Sequence, residues 1–213
     1  MGNIRTILDG VLTCGFVDRV IVSNNNPDVD LSGYIPQRDP RLQLIQQEQH
    51  TGPSYRYDLA RLYDSEYYIF IDDDVFPNPW QLRLVFEALL RTPAQPHGSE
   101  GELFETEPAG VVTVKSKSLL PGVMTGPVDV ILHTYFFTKA HLERYFELLE
   151  AMGVPNAEVH SSEDVIISFA GTERPIFVDV GYMPYCPTWK EWIRLKSKSK
   201  FVGPRARLMM TSR

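Results

Sequence analysis

The stretch YYIFIDDDVF, Tyr67 to Phe76, sets the strictest condition on the fold. Its first five residues, aromatic and β-branched throughout, read as a buried strand. They run directly into Asp72, Asp73 and Asp74, which repel one another unless cations or hydrogen-bond donors sit among them. The strand must therefore lie inside a sheet, with its carboxyl end opening onto a place where positive charge can gather. Alternation along the extended chain puts Asp72 and Asp74 on one side and Asp73 on the other.

The flanking segments suggest what surrounds that strand. Ile4, Ile7, Leu8, Val11 and Leu12 recur at helical spacing. RVIVS is a strand that stops in Asn24, Asn25 and Asn26, and RLQLIQQ is a second. YRYDLARLY reads as a helix with Ser54 as its cap. Pro79 suits the first position of a helix through WQLRLVFEALLR. From Thr92 to Gly110, Pro, Gly, Ser and Glu dominate, which predicts a surface loop. VVTVK and VDVILHTYFF predict strands, and Thr138 caps a helix over KAHLERYFELLEAMG that Gly153 and Pro155 end. Ser161 or Ser162 caps EDVIISFAG, and PIFVDVGYM predicts a last strand.

Strands alternating with helices predict an α/β fold with a largely parallel sheet. Ligands of such sheets sit outside the carboxyl ends of the strands. The Asn and Asp clusters are thus expected side by side, lining one cleft.

Composition narrows the class. A chain of 213 residues, 43% hydrophobic and 23% charged, has material for one sizeable core. No apolar run approaches the roughly 18–20 residues of a membrane span, and the N-terminus lacks the basic start and apolar block of a secretory signal. Cys14 and Cys186 make neither a disulfide framework nor a CxxC zinc pair, so the compartment stays open. The net charge of -6 divides into a basic tail, residues 190–213, at +7 and an acidic body, residues 1–189, at -13. An acidic body argues against a nucleic-acid binder. The tail suits a solvated end, a phosphate-binding flap, or peripheral contact with anionic lipid or a partner. Trp189 and Trp192 favour docking of its start, as packing residues or as a platform for an acceptor sugar.

Carboxylates at this spacing suit a hard cation, Mg²⁺ or Mn²⁺. Two neighbouring acids make an incomplete cage, and a diphosphate can supply the remaining oxygens. An EF-hand loop does not fit, because Pro77 stands where that loop turns on Gly. The DxD spacing also meets the aspartate-phosphatase motif, with Asp72 as nucleophile and Asp74 as general acid, although Phe76 is bulkier than that motif prefers. Glu163 and Asp164 open a helix whose N-terminal end stabilises carboxylates. Alternatively one of them faces the cleft and deprotonates an acceptor hydroxyl. His133, in an apolar strand, reads as a satisfied core or edge histidine ahead of a ligand, and Tyr135, Phe136 and Phe137 read as core.

In order along the chain, VIVSNNNPD, YRYDLARL, YYIFIDDDVFPNPWQL, VILHTYFFTKAHL and SSEDVIISF resemble the nucleotide-sugar glycosyltransferases of the GT-A fold, and among these the exostosin-like domain family. The resemblance implies a three-layer α/β/α sandwich and a metal-dependent transfer of a hexosyl or N-acetylhexosaminyl group. The donor it implies is a nucleotide diphosphate sugar, UDP-linked, and the acceptor a hydroxyl of a glycan or other glycoconjugate. It puts the metal on Asp74 with Asp72, and Asp72 with Asp73 toward the ribose. Asn24 and Asn25 then lie by the base, Arg56 by the donor, and Asp164 first and Glu163 second by the reacting sugar. The resemblance also implies a strand before the first helix, which this chain lacks, so the sheet is expected to be short of a central member. No His follows Ser161 to serve as the C-terminal metal ligand of many relatives; Lys190, Arg194 or Lys196 is expected to meet the diphosphate instead. A degenerate, non-catalytic binding protein is the remaining alternative.

Overall fold

The computed structural model describes residues 3–35, 39–106, 112–116, 124–159, 162–184 and 186. The elements are α1 (Asn3–Thr13), β1 (Val20–Asn24), β2 (Leu42–Gln46), α2 (Tyr55–Ala60), β3 (Tyr67–Ile71), α3 (Pro79–Arg91), β4 (His97–Thr106), β5 (Val112–Ser116), β6 (Gly126–Pro127), β7 (Val130–Thr138), α4 (Lys139–Met152), α5 (Glu163–Ser168) and β8 (Ile176–Phe177).

β3 forms over the five residues expected, and alternation divides its side chains between two cores. Tyr68 and Phe70 join Tyr57 of α2, Tyr135 and Phe137 of β7, Leu142 and Tyr145 of α4 and Ile167 of α5. Tyr67, Ile69 and Ile71 join Ile7 and Val11 of α1, Leu82, Val85 and Leu89 of α3 and Phe136 of β7. Helices therefore cover both faces, and the three-layer α/β architecture holds. Tyr135, Phe136 and Phe137 are buried as expected, each contributing on the order of 2 kcal/mol through burial.

Local chemistry sets the helix ends. Asn78 accepts from the Gln81 N–H while Gln81 reaches back to the Asn78 N–H, with Pro79 at the first position. Thr138 and His141 make the same reciprocal cap for α4, which Gly153 ends at φ 65°. Ser54 does not cap α2: its backbone is already helical, and its hydroxyl donates to the Asn156 carbonyl at 2.8 Å. Ser162 likewise makes no side-chain cap for α5.

The strand directions correct the expectation of a mostly parallel sheet. The larger sheet runs β3-β7-β4-β8-β6, with β5 on β4. Its pairs β3–β7, β7–β4, β4–β5 and β8–β6 are antiparallel, and β4–β8 is parallel. Parallel neighbours need a crossover element between them, and among the described residues no helix lies between β4, β5, β6 and β7. The segment expected to be a surface loop contains β4, which is central, with His97, Ser99 and Glu100 buried. Its glycines are packing devices. A Cβ on Gly98 would lie 2.7 Å from Ile131 Cβ, and one on Gly101 2.7 Å from Val128 Cγ1.

The expected last strand shortens to Ile176–Phe177. Val178 still donates to the Gly98 carbonyl, but Gly181 at φ 71° turns the chain away. β1 and β2 pair in parallel in a sheet of their own.

Candidate functional site

The β3–β7 register builds the site. Ile71 lies opposite Thr134, so Asp72 falls opposite His133 and donates its N–H to the His133 carbonyl at 2.9 Å. His133 adopts φ 60°, a left-handed conformation that non-glycine residues seldom take. Its Nδ1 lies 3.2 Å from Asp72 Oδ2 and 3.9 Å from Asp74 Oδ1. Its Nε2 lies 3.5 Å from Glu100 Oε2. Asp73, in the turn that follows β3, is exposed. His133 is thus a member of the acid cluster rather than the core or edge histidine expected from its apolar strand.

The second cation is Arg56. Its Nη1 is 2.8 Å from Asp72 Oδ1, and its Nη2 is 3.5 Å from Glu163 Oε1. The guanidinium also stands 5.5 Å over the Phe70 ring and 5.9 Å over that of Tyr135, within cation–π reach. α2 is too short to be stable by propensity alone. It is held in place by Asn156, whose amide nitrogen donates to the Ser54 carbonyl and to Asp58 Oδ2 while its oxygen accepts from Tyr145 Oη. α5 is anchored by Ser168, whose hydroxyl accepts from the Ile131 N–H and donates to the Asp164 carbonyl. These two anchors bring Arg56 and Glu163 together.

The electrostatics follow from the geometry. Burial works to raise the Asp72 carboxyl, but the His133 hydrogen bond and the Arg56 charge outweigh it and hold Asp72 at about 2. Burial disfavours the His133 cation, yet Asp72, Glu100 and Asp74 together raise it to about 9. Asp74 is raised, by burial and by its like-charged neighbours Asp72 and Asp73, against the pull of His133. Burial pushes Glu100 up to about 7. Glu163 is raised too, by burial and then by Asp164, with Arg56 opposing. The cluster therefore sets one firmly ionised acid, Asp72, beside acids on β4 and α5 and at Asp74 whose ionisation burial disfavours.

Of the acidic pair at α5, Glu163 is the one joined to Arg56, whereas Asp164 Oδ1 accepts from the Val165 N–H at the helix start. Asn24 and Asn25 do not reach the cluster. The Asn24 amide donates to the Val29 carbonyl and to Gln46 Oε1, and Asn25 accepts from the Ser23 hydroxyl. These contacts stay within β1, β2 and the loop after β1. No hydrogen bond or ion pair among the described residues joins the Asn and Asp clusters.

Asp72, Asp74 and His133 each offer a ligand atom, and these atoms lie within 4.8 Å of one another. Two carboxylate oxygens and an imidazole nitrogen suit Mn²⁺, and with further oxygens Mg²⁺. Asp74 Oδ1 is buried without a hydrogen-bond partner, the kind of orphaned acceptor that a bound cation would account for. The residues fit the ion.

Comparison with solved structures yields the same fold twice. The structure of GalNAc-T7 with UDP, GalNAc and Mn²⁺ superposes with a TM-score of 0.59 at 10% identity, over 84% of this chain and 39% of that one. This chain thus spans about two fifths of that protein's length. The structure of CMP:2-keto-3-deoxy-manno-octonic acid synthetase complexed with CTP superposes at 0.53 with 14% identity, over 91% of this chain and 86% of that one. No protein-family model and no curated protein sequence matches the chain. The fold is that of GT-A glycosyltransferases and nucleotidyltransferases.

Two members of the cluster escaped sequence reasoning. Glu100 lies in the segment read as a loop and carries no signal of its own. His133 stands out in the sequence as a basic side chain in an otherwise apolar strand, with a ligand role its second reading, but only register reveals that it faces Asp72. Trp189, Trp192, Lys190, Arg194, Lys196 and the whole 190–213 tail lie outside the described residues, as does Ser161. Among the described residues no helix is long and apolar enough to cross a membrane.

Proposed function

We propose that this chain is a metal-dependent glycosyltransferase of exostosin-like type. It moves a hexosyl or N-acetylhexosaminyl group from a UDP-linked donor to a hydroxyl on a glycan or other glycoconjugate. The observation that carries this reading is the convergence of Asp72, Asp74 and His133 at the carboxyl end of β3. That is where α/β sheets of this kind bind ligands, and the GalNAc-T7 structure of similar fold was solved with UDP and Mn²⁺.

In this reading Asp74, Asp72 and His133 hold Mn²⁺ or Mg²⁺. A bound divalent ion supplies Lewis-acid stabilisation to a departing nucleoside diphosphate. Arg56, steadied by Asp72, Phe70 and Tyr135, presents its remaining donor capacity to the donor substrate. Asp72 and Asp73 lie toward the ribose, and Asn24 and Asn25 toward the base. Glu163 or Asp164 accepts the proton of the acceptor hydroxyl; Glu163, raised by burial and Asp164, suits proton exchange near neutral pH. Residues 1–189 form the transferase unit, and the basic 190–213 tail meets phosphate or anionic lipid.

Calorimetry with uridine and guanosine diphosphates, with and without Mn²⁺, tests the assignment. Metal-dependent uridine diphosphate binding that disappears in Asp74→Ala, with the fold intact by circular dichroism, is the expected result. Binding that is unchanged in that variant overturns it.

One observation favours a second reading, a binding protein without turnover: both Asp72 oxygens are already engaged, by Arg56 and by His133. That reading expects nucleotide to bind with no donor hydrolysis or transfer. The same engagement speaks against a phosphatase with Asp72 as nucleophile, which predicts an aspartyl-fluoroberyllate adduct there.

A further inference from the structure

Glu100 has no part in the reading above, yet it is almost completely buried, 5% exposed. Its Oε2 faces His133 Nε2 at 3.5 Å, and its Oε1 has no hydrogen-bond partner. A carboxylate seldom stands so deep unless something requires it. The backbone has been bent to put it there. The β4–β7 ladder shifts register between Gly98 and Glu100, and such irregularities re-aim side chains. On the neighbouring strand, His133 takes its left-handed φ of 60°. The two departures from regular strand geometry meet in one pair of side chains.

The two ring nitrogens of His133 face different groups. Nδ1 looks toward Asp72 and Asp74, at 3.2 and 3.9 Å, and Nε2 toward Glu100. A neutral imidazole carries one proton, and only the bare nitrogen can bind a metal. An acceptor at the far nitrogen fixes which one is bare and holds the ring in place.

We propose that Glu100 is the positioning residue of the candidate metal centre, accepting a hydrogen bond from the Nε2–H of His133 so that Nδ1 is presented beside Asp72 and Asp74. This rests on the metal-site reading above. A buried acid merely neutralised by a neighbouring cation would leave metal affinity and the choice of ring nitrogen indifferent to its removal.

The experiment uses Mn²⁺ alone in calorimetry, and Cd²⁺ as a diamagnetic probe of the ¹⁵N-labelled His133 ring. Wild-type protein is expected to show metal bonded to Nδ1 with the proton on Nε2. Glu100→Leu, which removes the acceptor, is expected to weaken Mn²⁺ binding about 10- to 100-fold. Glu100→Gln, whose amide oxygen can still accept, is expected to recover most of that loss. Metal on Nε2, or Mn²⁺ affinity within twofold of wild type in Glu100→Leu, overturns the positioning role. The ring-nitrogen assignment needs no variant, so a Glu100→Leu protein that does not fold leaves that test intact. If Glu100→Leu matches wild type while Asp74→Asn abolishes binding, the metal site stands and this role falls. If wild type does not bind Mn²⁺ at all, both fall.

Discussion

Arg56 stands between Asp72 and Glu163, 2.8 Å from one carboxylate and 3.5 Å from the other. One guanidinium thereby ties the carboxyl end of β3 to the first turn of α5, elements far apart in sequence. Removing one partner of a buried ion pair costs about 3–5 kcal/mol; this pair keeps some access to solvent.

Arg56→Ala should therefore destabilise the fold by about 2–3 kcal/mol, at or just below the lower end of that range. Arg56→Lys should recover only part, because a single ammonium has no planar fork with which to reach both acids. Urea unfolding of the three proteins measures this. Equal stability of wild type and Arg56→Ala would show that the bridge is incidental.

Asp74→Asn should separate binding from folding. Asp74 Oδ1 has no hydrogen-bond partner to lose, and its like-charged neighbours already disfavour its ionisation. The melting temperature should stay the same or rise, while Mn²⁺ binding falls at least tenfold. Parallel thermal melts and calorimetry read the two quantities. A large drop in melting temperature would place Asp74 among the structural residues.

Gly98→Ala and Gly101→Ala should each cost about 1–3 kcal/mol by overpacking, since the added methyl meets Ile131 or Val128 at 2.7 Å. Gly33→Ala is the control: nothing lies within 4 Å of its Cβ, and it should be neutral or slightly stabilising. Chemical denaturation of the three variants checks the contrast.

His97 gives a pH dependence away from the acid cluster. Its Nδ1 is 2.8 Å from the Gln95 carbonyl and its Nε2 2.9 Å from the Thr92 hydroxyl. Burial lowers it from its usual 6.5 to about 4, the Gln95 contact opposing. Between those values the unfolded chain binds the proton and the folded protein does not, so stability falls as pH drops from 6.5 toward 4. At about 1.4 kcal/mol per pH unit, the loss reaches roughly 3 kcal/mol. Melts of wild type and His97→Gln across that window should converge as the pH falls; parallel curves would refute it.

Where the sequence was legible, a local cause wrote the structure. β3 was read to the residue because an aromatic and β-branched run was bracketed by acids. α3 and α4 are legible from Pro79, Thr138 and Gly153, signals that depend on neighbours within a few positions. β4 was not legible. Its glycines record the bulk of Ile131 and Val128 on adjoining segments, and a sequence cannot show what a glycine makes room for. Strand direction failed for the same reason, since missing β4 left helices and strands in false alternation. The site divides similarly: Asp72, Asp74 and Glu163 stand out by type and place and Arg56 only through the family resemblance, whereas the placing of His133 and Glu100 depends on register.

The separate pairing of β1 with β2 has a consequence for how this protein comes apart. Among the described residues no backbone hydrogen bond links that pair to the larger sheet. It is held instead by side chains: a small cluster around Leu8, Val22 and Ile35, Val20 against the larger apolar cluster, Arg41 on the Leu12 and Val17 carbonyls, Arg19 over the Tyr63 ring and the Tyr63 hydroxyl on Gln43. The pair can therefore open as a unit while every rung of the six-stranded ladder stays closed, a low-energy partial unfolding. In native-state hydrogen exchange its amides should lose protection well before those of β7. A ligand that bridges Asn25 and Asp74 would fasten the two units together, so part of its binding energy would appear as slowed exchange in a strand that the metal never touches.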